Sequence, residues 1–110
     1  MLKLILALLL TSCTHWLIET ETRIQMENGT SEEIHDLSLV SSNGQITVWI
    51  PETVEPGKRS RVYGNEWVGE FNFAVYSGDS LIDLGVHRLK GGTVLAQIKE
   101  ENGKFAMQFK

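Results

Sequence analysis

Hydrophobic side chains recur at every second position along most of the chain, and short clusters of Gly, Asn, Pro and Asp interrupt the alternation at close intervals. Between Thr20 and Met26, the residues Thr20, Thr22, Ile24 and Met26 share one side while Glu21, Arg23 and Gln25 take the other, which is the period of a half-buried β-strand. The same period groups Ile46, Val48 and Ile50, then Trp67, Phe71, Phe73 and Val75, then Ile82, Leu84 and Val86. It continues through Val94, Ala96 and Ile98 to Phe105, Met107 and Phe109. Turn signals lie at Asn28-Gly29, Asn43-Gly44, Pro56-Gly57, Gly64-Asn65, Gly78-Asp79, Gly91-Gly92 and Asn102-Gly103. Gly and Asn tolerate the positive φ of tight reversals, and Pro56 pre-sets its own corner. No segment has a sustained helical period; Ser31 to His35 reads as a loop or single turn. The pattern predicts an all-β chain of about seven to eight strands, a small antiparallel β-sandwich of immunoglobulin-like or related topology, with a small barrel as the competing architecture. The Cys…Trp…Cys signature of antibody domains is lacking, so the expectation rests on periodicity alone.

The N-terminus departs from this pattern. Met1-Leu2-Lys3 precedes the unbroken apolar run Leu4 to Leu10, followed by Thr11-Ser12-Cys13. The run is far shorter than the roughly 20 residues a bilayer-spanning helix needs, and a single cation before it gives the layout of a targeting segment. Leu10-Thr11-Ser12-Cys13 resembles the lipobox of bacterial lipoproteins. The resemblance implies that residues 1–12 form a signal peptide, cut just before Cys13, and that the Cys13 thiol carries the diacylglycerol that holds the chain in the lipid bilayer. A thiolate forms the required thioether where the flanking hydroxyls would not. Thr14 stands where an aspartate would favour inner-membrane retention, so the resemblance implies the outer membrane in a Gram-negative envelope. The resulting division is 1–12 signal peptide, 13–18 lipidated tether and 19–110 β-sandwich domain. Cys13 is the one cysteine of the chain, so no disulfide is available and acylation would remove an otherwise unpaired thiol. The competing reading keeps Met1 to Leu10 as a buried strand or short helix with a free Cys13.

Composition narrows the functional classes. The chain has 110 residues, 42% hydrophobic, with three tryptophans and a net charge of −4, enough for one domain with its own core. The acidic excess opposes binding to phosphate backbones, so no nucleic-acid partner is expected. His15, His35 and His87 lie on separate segments with no partner motif, and no His-x-His or Cys-x-x-Cys spacing occurs, so neither a metal nor another cofactor is expected. Glu32, Glu33 and Asp36 with Asn28 offer oxygen ligands of the kind calcium prefers, but in no known loop spacing, and read as a solvated acidic turn. Lys58, Arg59 and Arg61 form a basic turn that either touches lipid headgroups or simply solubilises. By parity Trp49 lies opposite Ile46, Val48 and Ile50, and Tyr76 opposite Phe71, Phe73 and Val75. Both are therefore expected on an outer face, as a binding surface for a peptide or carbohydrate or as sheet-stabilising aromatics. The expectation is a non-enzymatic envelope lipoprotein whose sandwich binds an envelope protein or glycan or supports an assembly. An envelope hydrolase is the competing class and requires His35 or His87 within reach of a serine and a carboxylate.

Overall fold

The computed structural model describes residues 21–110. Cys13, His15 and the signal and tether segments lie outside the described residues. The strands are β1 (Thr22–Gly29), β2 (Ile34–Val40), β3 (Ile46–Val54), β4 (Arg59–Asn65), β5 (Gly69–Ser77), β6 (Ser80–Leu89), β7 (Gly92–Glu101) and β8 (Lys104–Phe109). They form two four-stranded sheets, β4-β1-β7-β8 (sheet A) and β3-β2-β5-β6 (sheet B), packed as a sandwich. All pairings are antiparallel except β1 with β7, which run parallel from Thr22↔Gly92 to Gly29↔Lys99. The all-β sandwich expected from the periodicity is therefore the architecture of the domain.

The core follows from the alternation wherever a strand is regular. Ile24 and Met26 of β1, Ala96 and Ile98 of β7 and Met107 of β8 face Ile34, Leu37, Leu39, Ile50, Phe73 and Val75 of sheet B, all buried. Full burial of each large aliphatic or aromatic side chain contributes about 1.5–3 kcal/mol, so this interface is the main source of cohesion. Asn28 continues the inward row of β1 although polar, and is fully buried. Its Nδ2 donates to the carbonyls of Glu32 (2.7 Å) and Val54 (2.9 Å), while Oδ1 accepts from Thr30 N (2.9 Å) and Thr30 Oγ1 (2.7 Å). Both N–H groups and both oxygen lone pairs are used, which is what allows an amide to be buried at little cost.

Three strands depart from strict alternation, and here the expectations need correction. The β2–β3 register steps twice, and Trp49 is the extra residue between the pairs Leu37↔Ile50 and Ser38↔Val48. A bulge of this kind reverses which face the following residues occupy. Ile50 stays inside, but Ile46 and Val48 turn out, 38% and 44% exposed, and Trp49 turns in, 3% exposed. Trp49 was expected on the outer face; it belongs to the core. In β6, Leu84 is the extra residue between Phe73↔Gly85 and Ala74↔Asp83, with Gly85 at φ 84°, and beyond it Val86 faces solvent rather than the core. The Gly64-Asn65 pair is not a turn but the end of β4; a Cβ at Gly64 would lie 3.1 Å from Glu21 Oε2 and 3.2 Å from Arg23 Cγ, so glycine there serves close packing. Ile34 and His35, expected in a loop or single turn, begin β2.

Asn28→Ala should destabilise the domain by roughly 2–4 kcal/mol, because it strands the buried carbonyl of Val54 and the Thr30 amide together. Asn28→Asp should be no milder at neutral pH, since it sets a carboxylate oxygen against two carbonyls. Urea unfolding of both variants measures this, and a loss below 1 kcal/mol for Ala, roughly one exposed hydrogen bond, would contradict it.

Candidate interaction face and its histidine corner

Residues paired in register project to the same side of a sheet, so the pairings define each outer face row by row. On sheet A the outer rows hold Arg23, Gln25 and Glu27 of β1 against Thr93, Leu95 and Gln97 of β7, with Arg59, Val62 and Gly64 of β4 alongside. Arg59 pairs with Glu27 at 3.4 Å, Gln97 Nε2 donates to Glu27 at 3.1 Å, and Arg23 Nε donates to Thr93 Oγ1 at 2.8 Å. Apart from Val62 and Leu95, this face is polar and internally paired.

Sheet B differs. One outer row reads Ile46–Val40–Asn72–Val86 across β3, β2, β5 and β6; the next reads Val48–Ser38–Ala74–Asp83; a third reads Thr53–His35–Tyr76–Leu81. Four aliphatic side chains stand open to solvent here, at 38% for Ile46, 44% for Val48, 41% for Leu81 and 63% for Val86. Asp83, the carboxylate of these rows, accepts a hydrogen bond from Asn72 Nδ2 (2.8 Å). The other outer face exposes a single large aliphatic, Val62 at 49%, so sheet B differs in the number of its open aliphatics, which are flanked by the Glu70 and Arg88 pair at 3.8 Å.

Tyr76 sits on this face, half-buried, with its ring stacked on His35 at 5.3 Å and 15°. Trp49 does not join it. Its Nε1 donates across to the Tyr63 carbonyl of β4 (2.9 Å), and its ring meets Trp67 edge-on at 5.8 Å. Tyr63 Oη in turn donates to Glu52 Oε2 (2.8 Å), which raises the tyrosine pKa. Trp49 thus ties β3 of sheet B to β4 of sheet A, and the aromatic pair expected from parity is divided between the core and the surface.

His35 is held at both ring nitrogens. Nδ1 lies 3.0 Å from Asp36 Oδ2 and Nε2 lies 2.9 Å from the Gly78 carbonyl. Both partners are acceptors, so only the imidazolium, with two N–H groups, satisfies both. The Gly78 carbonyl first, then the Asp36 carboxylate, hold the His35 pKa above its ordinary value of 6.5. Asp36 itself adopts φ 53°, a left-handed conformation that Asp visits more readily than most residues. Beside it, Ser77 Oγ donates to Glu32 Oε1 (2.9 Å), so the serine hydroxyl is directed away from the histidine. His35 and Asp36 reproduce two members of a hydrolytic triad, but the second imidazole nitrogen faces a carbonyl and not a nucleophile. His87 is packed between Phe73 (5.9 Å) and Phe109 (5.5 Å), and its Nε2 meets the Leu84 carbonyl at 2.9 Å.

The remaining candidates are dispersed. Asn28 spends all its hydrogen-bonding capacity inside the core, and among the described residues no three His, Cys, Asp or Glu side chains converge on a metal-sized site. Lys58 lies in the β3–β4 turn and Arg59 is engaged by Glu27 on the face of sheet A, so the basic turn does not adjoin Tyr76. Sequence reasoning missed Ile46, Val48 and Val86 as surface residues; Gly85, a glycine inside an otherwise regular strand, was the available signal for the bulge in β6.

The fold defines the class as a two-sheet β-sandwich. A solved structure with a similar fold is the C-terminal domain of AlgF from P. aeruginosa, at TM-score 0.51 and 19% identity, covering 83% of this chain and 97% of that one. At that identity the likeness concerns the fold alone. No family model matches the chain, and a search of curated proteins gives no match.

The corner carries a pH signature. His35 is favoured as the imidazolium in the folded state, so its stabilisation is fully present below pH 6.5, the ordinary histidine pKa, and is lost as pH rises through the higher folded value. An NMR titration should place the His35 midpoint above 6.5, and Asp36→Asn should move it down towards that value. A His35 midpoint at or below 6.5 in the parent chain would exclude the double latch.

Proposed function

We propose that this protein is a bacterial envelope lipoprotein, anchored in the membrane through acylated Cys13, whose β-sandwich is a non-enzymatic binding or assembly module. The observation that carries the binding role is the aliphatic outer face of sheet B, formed by Ile46, Val48, Leu81 and Val86. Its partner is another envelope protein rather than a glycan. A sugar is bound by aromatic platforms and convergent polar groups, whereas this face offers branched aliphatics, and its one tyrosine is already stacked on His35. The lipobox Leu10-Thr11-Ser12-Cys13 supports the anchored location, and so does the lack of any further cysteine.

A hydrolase would need a base with a free nitrogen beside a nucleophile. Both ring nitrogens of His35 face acceptors, Asp36 and the Gly78 carbonyl, and His87 Nε2 faces the Leu84 carbonyl, so none of these contacts is a base–nucleophile pair.

Two measurements test the proposal. The intact mass of the full chain recovered from bacterial membranes should correspond to a polypeptide starting at Cys13 plus acyl groups, and Cys13→Ala should abolish both the added mass and membrane association. A soluble, unmodified chain beginning at Met1 would overturn the anchoring. For the face, a photo-crosslinking residue at position 86 should give a discrete adduct with one envelope protein in cells, whereas position 97 on sheet A should not. The adduct should disappear when Leu81→Glu is added. Indistinguishable patterns at positions 86 and 97 would remove the role of the face.

A further inference from the structure

We propose that the pole of the sandwich at which the chain enters β1 rests in the interfacial region of the lipid bilayer, with Trp67 and Val68 as its inserted tip. This deepens the lipoprotein reading and rests on it for the anchor at Cys13.

The connections between strands divide between two poles. The β2–β3, β4–β5 and β6–β7 connections lie at the pole where β1 begins; the β1–β2, β3–β4, β5–β6 and β7–β8 connections lie at the other. Six of the seven are polar or glycine-rich: Thr30–Glu33, Ser41–Gln45, Glu55–Lys58, Gly78-Asp79, Lys90-Gly91 and Asn102-Gly103. The exception is Glu66-Trp67-Val68, between β4 and β5. Trp67 is 38% and Val68 44% exposed, and with Glu66 and Phe71 they line a shallow groove of about 300 Å³. A connection needs turn-forming or soluble residues, not a tryptophan and a valine, so this loop is built for an apolar or amphipathic environment.

The occupant follows from where the anchored chain arrives. From Cys13 to Thr22 the chain advances nine residues, which span no more than about 32 Å at full extension. Strands of this length separate the poles by about 30 Å. The pole at Thr22 is therefore the one an acyl anchor holds against the bilayer. The Thr22 hydroxyl donates to the Trp67 carbonyl at 2.7 Å, so the loop is fastened to the residue through which the tether enters. Trp67 is also ordered in advance, stacked on Phe71 at 5.9 Å and met edge-on by Trp49 at 5.8 Å. Tryptophan partitions to the headgroup level because its ring is apolar and its N–H polar.

Charge plays a secondary part at this pole. Arg88, Lys90, Lys110 and Arg23 are offset by Glu21, Glu66 and Glu70, with Arg23 paired to Glu21 and Arg88 lying 3.8 Å from Glu70. The contact is consequently apolar in origin and does not need anionic lipid. On its own a two-residue tip binds weakly; tethered by the acyl anchor it meets the surface at high effective concentration.

Electron paramagnetic resonance on the acylated full chain, reconstituted in phosphatidylcholine vesicles, tests the proposal. A nitroxide at Val68→Cys should be more accessible to oxygen than to a water-soluble nickel chelate, and one at Lys58→Cys, on the opposite pole, should show the reverse. Glu66→Cys provides a second label should Val68→Cys disturb the loop. A mass spectrum of the same sample separates the two readings. Acylated protein with labels at both 66 and 68 as water-accessible as that at 58 overturns the docked pole while leaving the lipoprotein intact. A chain that carries no acyl group overturns the anchor on which the inference stands.

Discussion

A β-strand can exchange its inner and outer faces only by gaining or losing one residue against its neighbour, and that constraint organises this domain. Side chains alternate with a period of two, so each extra residue reverses everything that follows. The extra residue at Trp49 sends the indole inward and Ile46 and Val48 outward; the one at Leu84 keeps that leucine inside and releases Val86 to solvent. Without the two bulges sheet B would bury its aliphatics and leave an aromatic on the outside. With them, its outer face is aliphatic and its edge is closed by the Trp49 to Tyr63 hydrogen bond.

Several polar groups enter the interior with their hydrogen bonds closed, while Gln97 Oε1 is buried without a partner among the described residues. Asn28 is saturated at both ends of its amide, Ser60 Oγ accepts from Met26 N (2.9 Å) and donates to Arg61 O (2.7 Å), and the Trp49 N–H reaches a backbone carbonyl. Each of these ties one segment to another: Asn28 fixes the β1–β2 bend against the end of β3, and Ser60 fixes β4 along β1. The corner at His35 uses the same device with a titratable group, joining β2 to the β5–β6 turn through Gly78. Because His35 is partly exposed, that tie adjusts a local hinge of the turn and leaves the core to the apolar contacts.

The fold was legible where strands are regular and opaque where tertiary packing sets the register. Thr22, Ile24 and Met26, the row Val94, Ala96 and Ile98, and the row Phe105, Met107 and Phe109 all keep the faces their spacing assigns. In β3 and β6 the spacing misassigned Ile46, Val48, Trp49 and Val86, because a bulge reflects partner strands and has almost no local composition. Gly85 hinted at one; Asp36, the single non-glycine residue of β2 at positive φ, hinted at nothing in particular. The parallel pairing of β1 with β7 was equally hidden, since residues about 70 apart in sequence are brought together by the whole topology. Glycine signals were ambiguous in a physical sense: Gly44 and Gly57 supply positive φ in turns, whereas Gly64 lies within a strand, closely approached by the side chains of Glu21 and Arg23. Of the two aromatics chosen by parity, Tyr76 lies on the surface of sheet B and Trp49 does not, so the face survives with a different chemistry.

The proposed membrane anchoring and the aliphatic face would constrain one another geometrically. The strands run from pole to pole, so a sandwich standing on its Trp67 end presents both outer sheet faces perpendicular to the bilayer plane. Sheet B is then directed sideways, towards neighbours in the envelope, and neither into the lipid nor straight away from it. On that proposal a partner reaching Ile46, Val48, Leu81 and Val86 would approach laterally. Such lateral restriction would concentrate both proteins in a thin layer, where a face of modest area can hold a partner that it would not hold in free solution. The His35 latch lies at the opposite pole, away from the lipid, on the same face as Leu81. On the proposed orientation, protonation of His35 would be felt at the end of the face farthest from the lipid.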